Sequence, residues 1–217
     1  MDCVSTRLGE AASIAMNTGA QSFMWKVSKV QTGLKLPQVL TPGLKFREWR
    51  KGDAPGLARF MTQPSYNRWL AVRMQSAAEL DVMVKRHLKR LSSNDRRHFR
   101  LCATDISTNE LIADGFIWLL GGDAAEIGWG VDPDVWNCGV GTQMGEVLCA
   151  MAIERLGAKD VWCKVMSPNL ASGHIARNLG FKLEKTITSG ATGLNRTHDV
   201  DIYKLTATDY FERGYAI

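Results

Sequence analysis

Residues 136–142, Trp136-Asn137-Cys138-Gly139-Val140-Gly141-Thr142, are the stretch whose reading decides the fold. Upstream, residues 125–133 (AEIGWGVDP) read as a strand, and downstream Met144, Val147, Leu148, Met151, Ala152 and Leu156 recur at helical spacing. The stretch therefore joins a strand to a long amphipathic helix. Two glycines one residue apart let consecutive N–H groups turn towards one point, and the helix start adds unsatisfied donors and a positive dipole end. A corner of this kind holds a pyrophosphate. Glycine pairs also make plain turns, so the corner alone does not name a nucleotide.

A chain of 217 residues is long enough for one domain with a substantial core and room for an appendage. Its 45% hydrophobic and 23% charged content is ordinary for a globular protein. No run of 18 apolar residues occurs, so no transmembrane helix and no membrane partner are expected. The net charge of +5, from 27 basic and 22 acidic residues, favours anionic small ligands but falls short of a nucleic-acid footprint.

Five cysteines (Cys3, Cys102, Cys138, Cys149 and Cys163) without CxxC spacing argue against a disulfide framework and a structural zinc site. Reduced thiols in a cytoplasmic protein are the simplest reading. Cys102, Cys149 and Cys163 read as small core residues. The four histidines show no metal-ligand spacing, so no metal is expected.

Residues 1–40 differ from the rest: no acidic residue lies between Glu10 and Glu48. They read as an N-terminal extension, flexible or an arm to a second protomer, so a homodimer is admissible. The domain proper is placed at 41–217. Residues 44–49 alternate as a strand. Helices are expected at 53–61, around 66–74, and from the capping box Ser76-Ala77-Ala78-Glu79 to about 91. The last of these carries Lys85, Arg86, Lys89 and Arg90, continued by Arg96, Arg97 and Arg100, which read as a solvated basic face. Strands follow at 98–105, 111–120 and 124–131, joined by the turns Ser107-Thr108-Asn109-Glu110 and Gly121-Gly122-Asp123. After the glycine loop and its helix come a strand at 160–165 and a helix at 170–179 ended by Gly180. Strands at 182–188 and 200–206 and a short helix at 209–213 complete the chain. An antiparallel meander followed by alternating helices and strands defines a mixed α/β sheet.

Two motifs in order carry a family resemblance. One is Trp136-x-x-Gly139-x-Gly141 at a strand end. The other is Asn169-Leu170-Ala171-Ser172, with Gly180-Phe181 eight and nine residues after the serine. Together they resemble the Gcn5-related N-acetyltransferase (GNAT) superfamily over about 44–213, and Tyr203-Lys204-Leu205 with Asp209-Tyr210 looks most like its RimJ/RimL branch. The resemblance implies a GNAT-like, mostly antiparallel sheet with a splayed strand pair and helices on both faces. It also implies an acetyl-CoA-dependent N-acetyltransferase acting on a primary amine, either a protein N-terminus or a small molecule. The rival reading is a non-catalytic acyl-CoA-binding sensor or scaffold.

The same resemblance assigns residues. The pyrophosphate would meet the loop of Trp136, Asn137, Cys138, Gly139, Val140, Gly141 and Thr142. The pantetheine arm would run along Trp129, Gly130 and Val131 with Asn169 opposite, although Asn169 also suits an ordinary helix cap. Glu126 is the first candidate for general base, against a structural carboxylate. Strand parity sets 126 and 128 opposite 127 and 129 unless a bulge intervenes. Ser172 is the candidate hydrogen-bond donor to the leaving thiolate, against a first-turn serine bonding backbone. Ala176 stands where other branches carry an acidic tyrosine, so no acid is assigned there.

Overall fold

The alternation along residues 98–131 builds the centre of the sheet. In a computed structural model that describes residues 35–70, 73–189 and 198–214, β3 (His98–Asp105), β4 (Leu111–Gly121) and β5 (Ala124–Val131) pair antiparallel in sequence order. Phe99, Leu101 and Ala103 turn to one face and Cys102 to the other, as the two-residue period of a strand dictates. β1 (Val39–Thr41) and β2 (Leu44–Glu48) extend the sheet beyond β3. β6 (Asp160–Met166), β7 (Lys182–Ile187) and β8 (Val200–Thr206) extend it beyond β5. The order is β1-β2-β3-β4-β5-β6-β8-β7. Of the pairings, β5 with β6 is parallel and the rest antiparallel.

That parallel pairing is short. It runs from Ala124 opposite Asp160 to Ile127 opposite Cys163 and stops, so residues 128–131 and 164–166 part from one another. The splayed strand pair inferred from the resemblance is present, and it leaves backbone open in the middle of the sheet.

Helices cover both faces. On one, α4 (Val140–Ala150), extended by a π turn at Met151–Arg155, sets Met144, Val147 and Leu148 against Ala113, Ile117, Ala125 and Ile127. Each such side chain contributes about 1.5–3 kcal/mol when fully buried. On the other, α1 (Ala54–Met61) and α3 (Ala77–Arg90) pack Leu57, Phe60, Leu80 and Val84 against Trp49, Cys102 and Leu111. The serine half of the expected capping box is formed, Ser76 accepting from the Glu79 N–H, while the Glu79 carboxylate reaches one residue further back, to the Gln75 N–H. The short α2 (Pro64–Asn67), α5 (Leu170–Asn178) and α6 (Ala207–Glu212) complete the helices.

Several local expectations change. The helix expected around 66–74 ends at Asn67, after one turn. The Asn67 side chain is bonded there: its amide donates to the carbonyls of Met61, Gln63 and Met74, and its Oδ1 accepts the Met74 N–H, which ties Met74 back to the end of α2; residues 71–72 lie outside the described residues. The basic cluster also divides. Lys85, Arg86, Lys89, Arg90 and Arg97 are exposed. Arg96 is buried and binds Glu48 with two nitrogens, and Arg100 is paired with Asp114. The sheet takes in Val39, and Leu36 packs in the core; residues 1–34 of the extension lie outside the described residues. Cys102, Cys149 and Cys163 are free and buried, burial pushing the Cys102 thiol up to about 12. Among the described residues no helix is long and apolar enough to cross a membrane, and no cluster suits a metal ion.

Candidate active site

The site grows from the splay. β5 carries no register shift between Ala125 and Val131, so Glu126, Gly128 and Gly130 share one face and Ala125, Ile127 and Trp129 the other. Val131 then passes through a single 3-10 turn (Pro133–Val135) into the glycine loop. Two residues in that loop adopt left-handed backbone, Asn137 at φ 62° and Gly139 at φ 78°. Asparagine tolerates this region and glycine enters it freely. Alternation of left- and right-handed residues turns successive N–H groups to one side, a concavity suited to an anion. Gly139 is the N-cap of α4 and supplies no side-chain bond, so the first donors of the helix stay open. The Trp136 indole N–H donates to the Val131 carbonyl at 2.9 Å and pins the loop to the strand end.

The two glycines serve different purposes. A Cβ on Gly139 would meet nothing within 4 Å; its φ is what demands glycine. A Cβ on Gly141 would stand 2.8 Å from Ile175 Cδ1, so this glycine admits α5 against α4. Gly139 thus meets a backbone requirement and Gly141 a packing requirement.

A cavity of about 460 Å³ occupies the splay. It brings together Glu126, Trp129, Gly130, Val131, Trp136, Asn137, Gly139, Val140, Gly141, Thr142, Asn169 and Ser172, every residue singled out from the sequence except Cys138. Asn169 caps α5, its Oδ1 accepting the Ser172 N–H at 3.3 Å, so its local role is realised while the residue lines the cavity. The Ser172 hydroxyl has no hydrogen-bond partner among the described residues. Ala176 is fully buried in the core and lies away from the cavity. His174 lies at the cavity and meets the Asn178 amide at 2.9 Å. Asp123 and Asp132 are engaged elsewhere, by Lys159 at 2.8 Å and Arg59 at 2.6 Å.

Glu126 is buried, and its carboxylate is met by Lys164 Nζ at 2.7 Å across the β5–β6 pair. No local pattern in the sequence announces this partner. Nor does one announce Tyr66, Trp69, Leu70 and Phe116, which also line the cavity. The Trp69 ring lies 5.7 Å from His198 and so links the segment after α2 to the start of β8. A signal for two of these aromatics is nonetheless present. Gly128 and Gly130 recur on one strand face, and the space their side chains would fill is taken by Phe116 (2.4 Å from a Gly128 Cβ) and Tyr66 (2.1 Å from a Gly130 Cβ). Beneath them, burial pushes Asp114 up to about 6, opposed by the Arg100 guanidinium 3.2 Å away. Burial, reinforced by the Asp114 charge, raises the Tyr66 phenol well above its ordinary range.

A sheet splayed at its parallel pair, with a glycine loop and helix N-terminus at one end of the gap, defines an acyl-CoA-type transferase fold. The Acetyltransferase (GNAT) domain model matches residues 44–182. The chain therefore belongs to the GNAT acetyltransferase family, whose domains use acetyl-CoA, and it is an acyltransferase of the N-acetyltransferase type. No curated protein sequence matches it. Among solved structures it is similar to the ribosomal-protein-S5-alanine acetyltransferase from Vibrio fischeri, with TM-score 0.70 at 12% identity, covering 80% of this chain and 98% of that one. It is also similar to mutant forms of the spermidine/spermine N-acetyltransferase SpeG from Vibrio cholerae (TM-score 0.65, 16% identity, 80% and 99% covered). A third neighbour is RimL, the ribosomal L7/L12 alpha-N-protein acetyltransferase (TM-score 0.66, 19% identity, 76% and 91% covered). At these identities the likeness is one of fold.

Proposed function

We propose that the protein moves an acetyl group from acetyl-CoA to the primary amine of a protein N-terminus or a small molecule, by direct attack of the amine on the thioester. The observation that carries this reading is the cavity in the splay. Open loop N–H groups lie at one end and the Glu126–Lys164 pair and Ser172 line its wall, with unpaired β5 backbone between. The pyrophosphate would lie on the N–H groups of residues 138–142. The pantetheine arm would pair with Trp129, Gly130 and Val131, with Asn169 opposite.

An α-amine has a pKa of about 7.7–8.0, so roughly a tenth is neutral at pH 7, against well under a thousandth of a lysine amine near 10.4. A base is therefore of some help to an N-terminus and of much more to an alkylamine. Glu126 is the residue proposed for this, directly or through water. Lys164 holds the carboxylate in place. The Ser172 hydroxyl, free of protein partners among the described residues, is proposed as hydrogen-bond donor to the leaving thiolate. The acceptor wall offers Tyr66, Trp69, Leu70 and Phe116, and the one acid among the described lining residues, Glu126, is already paired. That lining favours a peptide N-terminus or a neutral to anionic amine over a polycation.

Titration calorimetry with acetyl-CoA, followed by thiol release against a panel of peptides and amines, tests the proposal. Micromolar binding with amine-dependent release supports it. Binding without release for every amine favours the sensor reading, and no binding removes the reading of residues 136–142.

A further inference from the structure

We infer that the Tyr66 hydroxyl is a catalytic hydrogen-bond donor to the carbonyl oxygen of the thioester as that oxygen gains negative charge. This rests on the acetyl-transfer reading. Tyr66 is only 7% exposed, and its ring is fixed edge-on to Phe60 at a centroid distance of 5.4 Å. Its hydroxyl lies against the Gly130 backbone, occupying the place where a side chain at 130 would begin. Gly130 belongs to the end of β5 that β6 leaves unpaired, and to the face that carries Glu126.

The hydroxyl finds no hydrogen-bond partner among the described residues, although the side chain lines the cavity. An O–H that opens onto the cavity and has no protein partner is available to donate to a ligand atom there. Placed at the open strand, that atom belongs to the group bound in the splay.

The electron flow is then complete. The neutral amine attacks the carbonyl carbon and forms the C–N bond, while the carbonyl π electrons move to oxygen. Collapse of the adduct breaks the C–S bond and expels the CoA thiolate, and the surplus amine proton goes to Glu126. Tyr66 donates a hydrogen bond throughout and keeps its proton. Burial beside Asp114 suits this, because it holds the phenol neutral over the working pH range.

Tyr66→Phe in the full chain tests the assignment, because phenylalanine keeps the ring and removes only the O–H. With an acceptor that the wild type acetylates, kcat should fall about 100-fold, the size seen for loss of one oxyanion donor. KM and the calorimetric Kd for acetyl-CoA should stay within about threefold, since the bond strengthens only in the transition state. Tm should stay near that of wild type, because phenylalanine keeps the ring packed on Phe60. A kcat within twofold of wild type overturns the inference. So does a fall in Tm accompanied by weaker acetyl-CoA binding, which would mark the hydroxyl as structural. A wild-type chain that releases no thiol with any amine overturns the acetyl-transfer reading as well, whereas an active wild type with an equally active Tyr66→Phe overturns this inference alone.

Discussion

Replacing each glycine of the loop by alanine separates two kinds of constraint within one motif. Gly139 has φ 78° and ψ −7°, with nothing within 4 Å of an added Cβ. The cost of Gly139→Ala is therefore conformational, about 1–2 kcal/mol for an L-residue held left-handed. The loop escapes that cost by rotating to negative φ, which turns the following N–H groups out of the concavity. A hydrogen bond to a charged partner is worth about 1.5–3 kcal/mol, so losing one donor weakens Kd by roughly 10- to 100-fold. Gly141 sits in the first turn of α4, where an added Cβ would lie 2.8 Å from Ile175 Cδ1, the end of a flexible side chain, and 3.4 Å from Val131 Cγ2. The helix propensity gained from alanine, about 1 kcal/mol, offsets moving Ile175 aside. Gly141→Ala should then bind acetyl-CoA within about threefold of wild type, with little change in Tm. Titration calorimetry with acetyl-CoA on both variants decides. Wild-type affinity in Gly139→Ala would refute the claim that the left-handed turn aims the donors, and an equal loss in Gly141→Ala would refute the packing role of the second glycine.

Further outcomes can be stated briefly. Glu126→Gln should lower kcat by about 10²- to 10⁴-fold and abolish the acidic limb of its pH profile; an unchanged profile would remove Glu126 from the base role. Two buried groups pull stability in opposite directions on acidification. Asp114, raised from 3.8 to about 6, favours the fold below pH 4 and loses that contribution as pH rises through 6. His87, lowered from 6.5 to about 4, favours it above 6.5 and loses that contribution as pH falls through 4. Asp114→Asn removes the first, so its stability should fall more steeply than that of wild type between pH 6.5 and 4, by about 2–3 kcal/mol in denaturant titrations; parallel curves would contradict the assignment. Asn67→Ala should cost about 1–3 kcal/mol by leaving the Met61 and Met74 backbone groups unpaired. It should also raise KM for the amine more than for acetyl-CoA; equal effects on both would show that the loop does not shape the acceptor wall.

Much of this is written in local patterns. The strands of the meander, the capping box at Ser76, the strand–loop–helix corner and the α5 cap at Asn169 each depend on residues close in sequence, through periodicity, capping chemistry and glycine's freedom at positive φ. Strand parity likewise puts Glu126 and Gly130 on one face from the order of residues alone. A helix is expected around 66–74, while α2 ends at Asn67, a buried amide bonding backbone seven residues away. The run of arginines near residue 96 gives no hint that Arg96 and Arg100 turn inward. Their carboxylate partners, Glu48 and Asp114, lie on other strands.

The sequence by itself determined the family, the local pieces of the sheet and the position of the glycine loop, because each is a short-range match between residue type and backbone conformation. Only the tertiary structure decided that β5 and β6 part after Ile127, that Lys164 meets Glu126, and that Phe116 and Tyr66 fill the space left by Gly128 and Gly130. Those facts arise from close packing between segments distant in the chain, where the shape left empty by one residue is read by another that no local pattern names.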